Sequence, residues 1–216
     1  MKIVLAAALA LGASVASADT LWHQAPDFAS NGVVNAIAGA PPFGVTAYTV
    51  ADVHIGAGGA TVDSITMYWS RILSDWVSDV NQGRVYVHAK TGAVPTALPG
   101  GPLMAMTVTE FFDPVFQQAG YAVTVSGLNL SLTEGDYWMG ITPVAPGGPF
   151  GPELGMGSAS SYGDQSMTYD AGGFPSPGWF NYSNVDAAIT VTGVPAPATA
   201  GLLGLGLVAA GRRRRN

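Results

Sequence analysis

Apolar and polar residues alternate along three segments of the chain, and alternation with a period of two is typical of a β-strand with one buried face. Two of these segments are Val45–Ile55 and Val62–Arg71, which are separated by the turn-forming stretch Gly56–Gly59. The third segment, Arg84–Lys90, has the clearest pattern. We therefore predict three strands, each of which places one face in a hydrophobic core.

The phase of the alternation predicts which side chains are buried. In the first segment, one face carries Ala51, Val53 and Ile55, and the other face carries Asp52 and His54. In the other two segments the inward-facing residues are predicted to be Ile65, Met67, Trp69, Val85, Val87 and Ala89, and the outward-facing residues Arg84, Tyr86, His88 and Lys90.

Further short runs rich in Val, Ile, Thr and Tyr are bounded by Gly, Pro, Asn and Asp, which is typical of strands joined by tight turns. Between residues 19 and 193 no segment shows a sustained helical period, and the nearest candidate, residues 72–81, is short and rich in Ser and Asp. The sequence therefore predicts an all-β domain, an antiparallel β-sandwich or jelly roll. The additional strands are expected at residues 103–109, 121–125, 128–132, 137–141 and 186–192.

Two regions lack strand patterns. Residues 91–102 are predicted to form a Pro/Gly-rich loop, and residues 143–182 form a long segment rich in Gly, Pro and Ser. A loop that long is unusual in a compact domain, so we expect either short strands near Tyr162 and at residues 167–169 or a functional surface. Its aromatic residues could stack on sugar rings or cover the ends of the core. The candidate ligand-facing residues are Tyr162, Tyr169, Phe174 and Trp179.

The N-terminal 18 residues have the pattern of a secretory signal peptide. Lys2 gives a positive start, an apolar run follows, and Ala16 and Ala18 flank Ser17 as a small-residue cleavage site. Cleavage after Ala18 would leave Asp19 as the first residue of the exported domain.

The C-terminal residues 194–216 have three parts in a fixed order. The proline motif Val194-Pro195-Ala196-Pro197 is followed by an uncharged apolar run over residues 198–211 and by four arginines, Arg212, Arg213, Arg214 and Arg215. Spanning about 30 Å of hydrocarbon takes about 20 helical residues, so the run predicts a membrane helix of marginal length. The arginines fit its cytoplasmic end, where they would stop translocation. A disordered apolar tail or a buried C-terminal helix is the alternative.

This tail resembles the sorting signal of the PEP-CTERM family. Pro195 and Pro197 match the prolines of the family's motif, Arg212–Arg215 match its basic end, and Ala196 stands where the usual motif has glutamate. The resemblance implies export through Sec-type machinery and recognition by an exosortase-like processing enzyme. It also implies a destination on the outer surface, or in the exopolysaccharide matrix, of a Gram-negative-type bacterium. Residues 128–141 resemble a strand–turn–strand pattern of the sandwich ectodomains that precede such tails.

The charge distribution argues against nucleic acid as a partner. Residues 19–193 contain all fourteen acidic residues of the chain but only three basic ones, Arg71, Arg84 and Lys90, so this domain has a net charge of −11. Nucleic-acid binding requires a basic surface. The chain has no cysteine, so the exported domain must rely on its core for stability.

The sequence contains no recognisable catalytic motif. Its three histidines, His23, His54 and His88, are widely spaced and are not arranged as a metal-ligating pair. Asp75, Asp79 and Asn81 offer a weak calcium candidate; no other cofactor is indicated. We expect an exported, non-enzymatic surface or matrix protein, and the alternative is a secreted carbohydrate-binding module or a glycan-active hydrolase.

Overall fold

The computed structural model describes residues 18–34, 36–38, 45–71, 81–97, 100–114, 117–145, 154–158, 162–164, 167–170, 178–181 and 186–196. These residues form an all-β structure of antiparallel sheets in which no helix occurs. Accordingly, the described part of the chain contains no helix with the length and apolar character needed to cross a membrane.

The described residues contain sixteen strands. They are β1 (Asp19–Gln24), β2 (Pro26–Val34), β3 (Ala36–Ala38), β4 (Val45–Ile55), β5 (Ala60–Arg71), β6 (Gln82–Ala89), β7 (Leu103–Ala105), β8 (Thr107–Asp113), β9 (Gln118–Val125), β10 (Leu130–Leu132), β11 (Gly135–Ala145), β12 (Leu154–Ser158), β13 (Met167–Asp170), β14 (Gly178–Phe180), β15 (Asp186–Ala187) and β16 (Ile189–Pro195).

The strands form two sheets. The first sheet is organised around β5, which pairs with β16 along one side and with β9 and β10 along the other. The strand β1 lies outside β16, β8 lies outside β9, and β12 links β5 to β2 and β15. The second sheet has the order β14-β13-β4-β3-β11-β6-β7, with β4 also paired to β11. Within the described ranges, all the strand pairings are antiparallel except the short contact of β3 with β11.

One hydrophobic cluster contains residues of both sheets, which is consistent with a β-sandwich. As predicted, Ile65, Met67 and Trp69 share one face of β5, and Trp69 is only 1% exposed. Opposite them, β4 and β11 contribute buried residues such as Val53 and Met139. The alternation of apolar and polar residues in these strands therefore correctly predicts which side chains lie on the inner faces of the two sheets.

The outer face of the second sheet differs from the sequence prediction. Tyr86 was predicted to point into solvent, but it is 4% exposed and forms a second, small hydrophobic cluster together with Val50 and Trp138. Asp52 is completely buried, and Ala89, predicted to point inward, is exposed. The prediction for Tyr86 is wrong because chain segments distant in sequence cover the outer face of this sheet.

The long segment at residues 143–182 contains strands, as the first of the two alternatives proposed. The strand β11 continues to Ala145, and β12, β13 and β14 follow. The strand predicted at residues 167–169 is confirmed as β13, whereas Tyr162 lies outside any strand and the nearest earlier strand is β12. The predicted strand at residues 103–109 is interrupted at Met106, a buried residue that separates β7 from β8.

The first strand starts, and the last strand ends, at a predicted processing region. The strand β1 begins at Asp19, directly after the exposed Ala18, and β16 ends at Pro195. Residues 1–17 and 197–216, which carry the rest of the predicted signal peptide and sorting tail, lie outside the described residues.

Candidate functional site

A short segment, Tyr162–Asp164, connects the two sheets through its main chain. The N–H group of Tyr162 donates to Oδ2 of Asp186, which belongs to the first sheet, over 2.8 Å. The N–H group of Asp164 donates to Oδ2 of Asp52, which belongs to the second sheet, also over 2.8 Å. Both carboxylates are buried, so each of these bonds satisfies a polar group that has lost its water. We call Tyr162–Asp164 the bridging segment.

Lys90 holds the bridging segment against the second sheet. Its Nζ donates to Oδ2 of Asp52 over 2.6 Å and lies 2.9 Å from Oδ2 of Asp164. The same Nζ lies 4.7 Å from the centre of the Trp138 ring, within the range of a cation–π contact. The Lys90 side chain is only 10% exposed. A single ammonium group therefore joins an aromatic face and two carboxylates, of which Asp52 is buried and Asp164 is 45% exposed.

The pKa directions in this group follow from burial and charge. Burial raises the pKa of Asp52, and the hydrogen bonds from Lys90 and Asp164 only partly oppose that effect. Burial alone would lower the pKa of Lys90, but its hydrogen bonds to Asp52 and Asp164 outweigh burial and the pKa is raised. Lys90 is therefore charged at neutral pH, and the buried carboxyl group of Asp52 depends on that charge.

Glycine is required in the middle of the bridging segment. Gly163 has a φ of +58°, in the left-handed region that residues with a Cβ rarely adopt. A Cβ at this position would overlap Oδ2 of Asp52 and would lie 3.1 Å from Nζ of Lys90. Only glycine lets the backbone approach the ion pair this closely.

The exposed end of the site is a group of four side chains that is centred on the carboxylate of Asp136. The group consists of Asp136, His54, Tyr162 and Trp22. Oδ1 of Asp136 accepts hydrogen bonds from Nδ1 of His54 over 2.7 Å and from the hydroxyl of Tyr162 over 3.1 Å. The Tyr162 ring packs edge-on against Trp22, with 4.7 Å between the ring centres. The hydrogen bond with His54 is the main reason that the pKa of Asp136 is lowered. Burial, followed by the hydrogen bond to Asp136, raises the pKa of the Tyr162 hydroxyl.

This geometry determines which ring nitrogen of His54 can accept a further hydrogen bond. An ionised carboxylate only accepts, so Nδ1 of His54 must donate to Asp136, and Nε2 becomes the acceptor of the neutral ring. The described contacts of His54 are with Asp136 and the Tyr162 ring. The pair therefore orients an imidazole at the surface, and among the described residues no hydroxyl group forms a hydrogen bond with this ring.

A buried chain of hydrogen bonds supports this exposed group from the first sheet. Nε1 of Trp22 donates to Oε1 of Gln24 over 3.3 Å, and Nε2 of Gln24 donates to Oδ2 of Asp186 over 3.2 Å. Gln24 is 2% exposed and Asp186 is 1% exposed. Trp22 and Tyr162 are thus anchored to the same buried carboxylate.

Three of the four predicted ligand-facing aromatic residues fall in the described part of the chain, and they lie in two separate sets of contacts. Tyr162 belongs to the group around Asp136. Trp179 packs edge-on against Tyr169 and Tyr86, at ring-centre distances of 5.4 and 5.6 Å, and its Nε1 donates to the carbonyl of Ala97 over 2.9 Å. Both Tyr169 and Trp179 are half-buried on the outer face of the second sheet. The fourth residue, Phe174, lies outside the described residues.

The proline motif begins within the sheet. Val194 and Pro195 pair with Thr61 and Ala60 of β5, and the N–H group of Ala196 donates to the carbonyl of Gly59 over 2.9 Å. The remaining predicted processing residues, Ala16, Pro197, Arg212, Arg213, Arg214 and Arg215, lie outside the described residues.

Sequence reasoning missed the ion pair of Lys90 with Asp52. One signal was present, because Asp52 and His54 share a phase of β4 and the strand is otherwise apolar at its centre. Their partners lie at sequence separations of 38, 82 and 112 residues: Lys90 directly follows β6, Asp136 belongs to β11, and Asp164 belongs to the bridging segment. No local pattern indicates which of these segments will meet.

Two further results complete the description of the site. Among the described residues, no three His, Asp or Glu side chains are grouped as they would be around a metal ion. The calcium candidates Asp75 and Asp79 lie outside those residues, so that expectation stays a prediction. Comparisons of the chain with protein-family models, with curated proteins and with solved structures find no match.

Proposed function

We propose that this chain is an exported, non-enzymatic protein of the cell surface or extracellular matrix, made by a Gram-negative-type bacterium. Its β-sandwich or jelly-roll ectodomain lies between a signal peptide and a short C-terminal membrane helix. Sec-type machinery exports it, and an exosortase-like enzyme processes it at the proline motif. The observation that carries the proposal is the three-part order of residues 194–216: proline motif, apolar run and four arginines.

The positions of the first and last strands in the chain support this proposal. The first strand begins at Asp19, the residue that cleavage after Ala18 would leave at the N-terminus. The last strand ends at Pro195, inside the proline motif. Removal of the signal peptide and of the residues beyond Pro197 would therefore leave every described strand intact.

The contacts of the polar groups support a non-enzymatic role. Lys90, Asp52 and Asp164 are engaged with one another, and they tie the bridging segment to the second sheet. A cation held between two carboxylates stabilises the fold but is not free to bind a substrate anion. The polar groups at this site thus have structural partners within the domain.

The alternative, a carbohydrate-binding module or glycan-active hydrolase that uses the aromatic residues of 143–182, is less well supported. A sugar-stacking platform requires exposed, nearly coplanar rings. The ring of Trp179 is inclined by 66° to that of Tyr169 and by 68° to that of Tyr86, and both Tyr169 and Trp179 are half-buried. We therefore assign these two rings to the packing of the sheet.

The test is the state of both termini in the native host. We expect the intact mass of the protein in the surface fraction to match a chain that begins at Asp19 and lacks the four arginines. Replacing Arg212–Arg215 with serine should give a protein that is exported but released unprocessed, because carrying each arginine across the membrane centre costs about 2.5–3.5 kcal/mol and four of them stop translocation. The matched control replaces the same residues with lysine, which keeps the charge and should keep retention and processing. A serine variant that is retained and cleaved like the parent would refute the proposal.

A further inference from the structure

Lys90 and Asp52 bring an amine and a carboxyl group into contact away from solvent. Nζ of Lys90 lies 2.6 Å from Oδ2 of Asp52. Because Cγ is one C–O bond of about 1.2 Å beyond that oxygen, Nζ is within about 4 Å of Cγ, close to the separation of about 3–3.5 Å at which reacting atoms meet. The Lys90 side chain is 10% exposed and the Asp52 side chain 0%. A nucleophile and a carboxyl carbon are therefore held together where little water competes.

Burial favours the uncharged forms of both groups, which are the forms that react. Desolvation raises the pKa of Asp52, and it opposes the hydrogen bonds that keep the pKa of Lys90 above its ordinary value. Moving one proton from Nζ to Oδ2 along their hydrogen bond converts the ion pair into an amine and a carboxylic acid, without exchange with solvent. The ion pair is the resting state, and the neutral pair is a minor state with a free electron pair on Nζ.

The carboxylate of Asp164 is placed to carry protons during a reaction of this pair. Its Oδ2 lies 2.9 Å from the same Nζ, and its side chain is 45% exposed, so it reaches both the amine and solvent. Its main-chain N–H group donates to Oδ2 of Asp52 over 2.8 Å, which fixes the two aspartates relative to each other. A positioned acid–base group of this kind typically accelerates proton transfer about 10²–10⁴-fold.

We propose that Lys90 and Asp52 condense to an intramolecular amide bond, and that Asp164 transfers the protons. The electron pair of Nζ forms a C–N bond with Cγ of Asp52. Asp164 accepts a proton from the nitrogen and passes it to the Oδ2 hydroxyl of Asp52. The bond from Cγ to Oδ2 then breaks, Oδ2 leaves as water, and Oδ1 remains as the amide carbonyl oxygen. The reaction consumes no other reactant, and the chain loses one molecule of water.

The amide bond joins two strands that are not neighbours in the sheet. Asp52 belongs to β4 and Lys90 directly follows β6, whereas β11 lies between these strands and pairs with both. The bond replaces two buried charges with a neutral group, which removes the cost of keeping those charges away from water. It also gives a covalent cross-link to a chain that has no cysteine. The assignment goes beyond sorting and surface residence, and it holds whether or not the C-terminus is processed.

The experiment is mass spectrometry of the full chain, kept folded at pH 7 in a mild non-ionic detergent and then unfolded and digested with trypsin. We expect the intact mass to be lower than that of the unmodified chain by one water. Trypsin cleaves after Lys and Arg, so an unreacted chain releases residues 3–71 and residues 85–90 as separate peptides. In the reacted chain, the amide prevents cleavage after Lys90, and residues 3–71 stay joined to residues 85–212.

Lys90→Arg is the matched control, because it keeps the positive charge and the tryptic site but replaces the amine with a guanidinium that stays protonated. This variant should keep its full mass and release both peptides. Asp164→Asn keeps both reacting groups and should slow the loss of water about 100-fold or more. Far-UV circular dichroism of the parent and of each variant establishes that the fold is retained.

The proposal is overturned if the folded parent keeps the mass of the unmodified chain after prolonged incubation. It is also overturned if residues 3–71 are released while residues 85–212 stay uncleaved, because the bond would then join Lys90 to Asp164. An Asp164→Asn variant that folds and loses water as fast as the parent would refute the role of Asp164. Loss of water from Lys90→Arg would place the reaction elsewhere in the chain and would refute the assignment to Lys90.

Discussion

Replacing Lys90 with methionine tests whether the buried ion pair holds the site together. Methionine keeps most of the apolar stem but removes the ammonium group that lies 2.6 Å from Asp52. Asp52 is completely buried, and its Oδ1 has no hydrogen-bond partner among the described residues. The variant would therefore leave a buried carboxylate with the N–H group of Asp164 as its main remaining support. Removing one partner of a buried ion pair costs about 3–5 kcal/mol, which is the loss we expect near pH 7.

The loss should depend on pH with a definite sign. Burial already raises the pKa of Asp52, and Lys90 is the chief group that opposes this effect. In the Lys90→Met variant the folded-state pKa of Asp52 should therefore rise further above its unfolded value. A group with a raised folded-state pKa stabilises the fold below its unfolded pKa and loses that contribution as the pH rises. The difference in stability between parent and variant should thus shrink as the pH is lowered from about 7 towards 4.

Urea unfolding followed by tryptophan fluorescence gives the free energy of unfolding of both proteins at each pH. Arg84→Met is the matched control, because Nη1 of Arg84 donates to the neutral carbonyl of Gly101 over 3.1 Å and, in the part of the chain that the structure describes, pairs with no carboxylate. We expect it to cost about 1–3 kcal/mol at every pH. A Lys90→Met loss below about 1 kcal/mol at pH 7, or one that stays constant with pH, would show that Asp52 does not depend on Lys90.

Three further substitutions test the core and the site. Trp69→Ala should lower the free energy of unfolding by about 3–5 kcal/mol in the same urea assay, since the side chain is 1% exposed, and a loss below about 1 kcal/mol would contradict its place in the core. Gly163→Ala should cost about 2 kcal/mol or more because of its φ of +58° and the overlap with Asp52, whereas Gly56→Ala, with nothing within 4 Å, should cost less than 1 kcal/mol. Asp136 has a lowered pKa, so its contribution to stability is present above its unfolded pKa and is lost as the pH falls. Asp136→Asn should therefore flatten the acid side of the curve of stability against pH. An unchanged curve would contradict the contact with His54.

The sequence by itself determined where the central strands lie and which face of each is buried. The alternation in β4 and β5 predicted that Val53 and Trp69 point into the core, and both do. This prediction succeeded because a strand's period is a local property: every second side chain points the same way whatever the partner strand is. The Pro/Gly-rich loop at residues 91–102 followed from equally local turn chemistry and is confirmed over its described residues.

The tertiary structure decided what covers the other face of each strand. Alternation identifies one apolar face, but it does not show whether another segment buries the polar face as well. Tyr86 and Asp52 are buried because residues from β14, the loop at Ala97 and the bridging segment cover the second sheet. The ring contact of Tyr68 with Phe111 likewise requires the two side chains to meet across Gly120 of β9, a strand that follows β5 by about fifty residues. These contacts depend on strand order and register, which are set by packing over the whole domain and not by the pattern within any one strand.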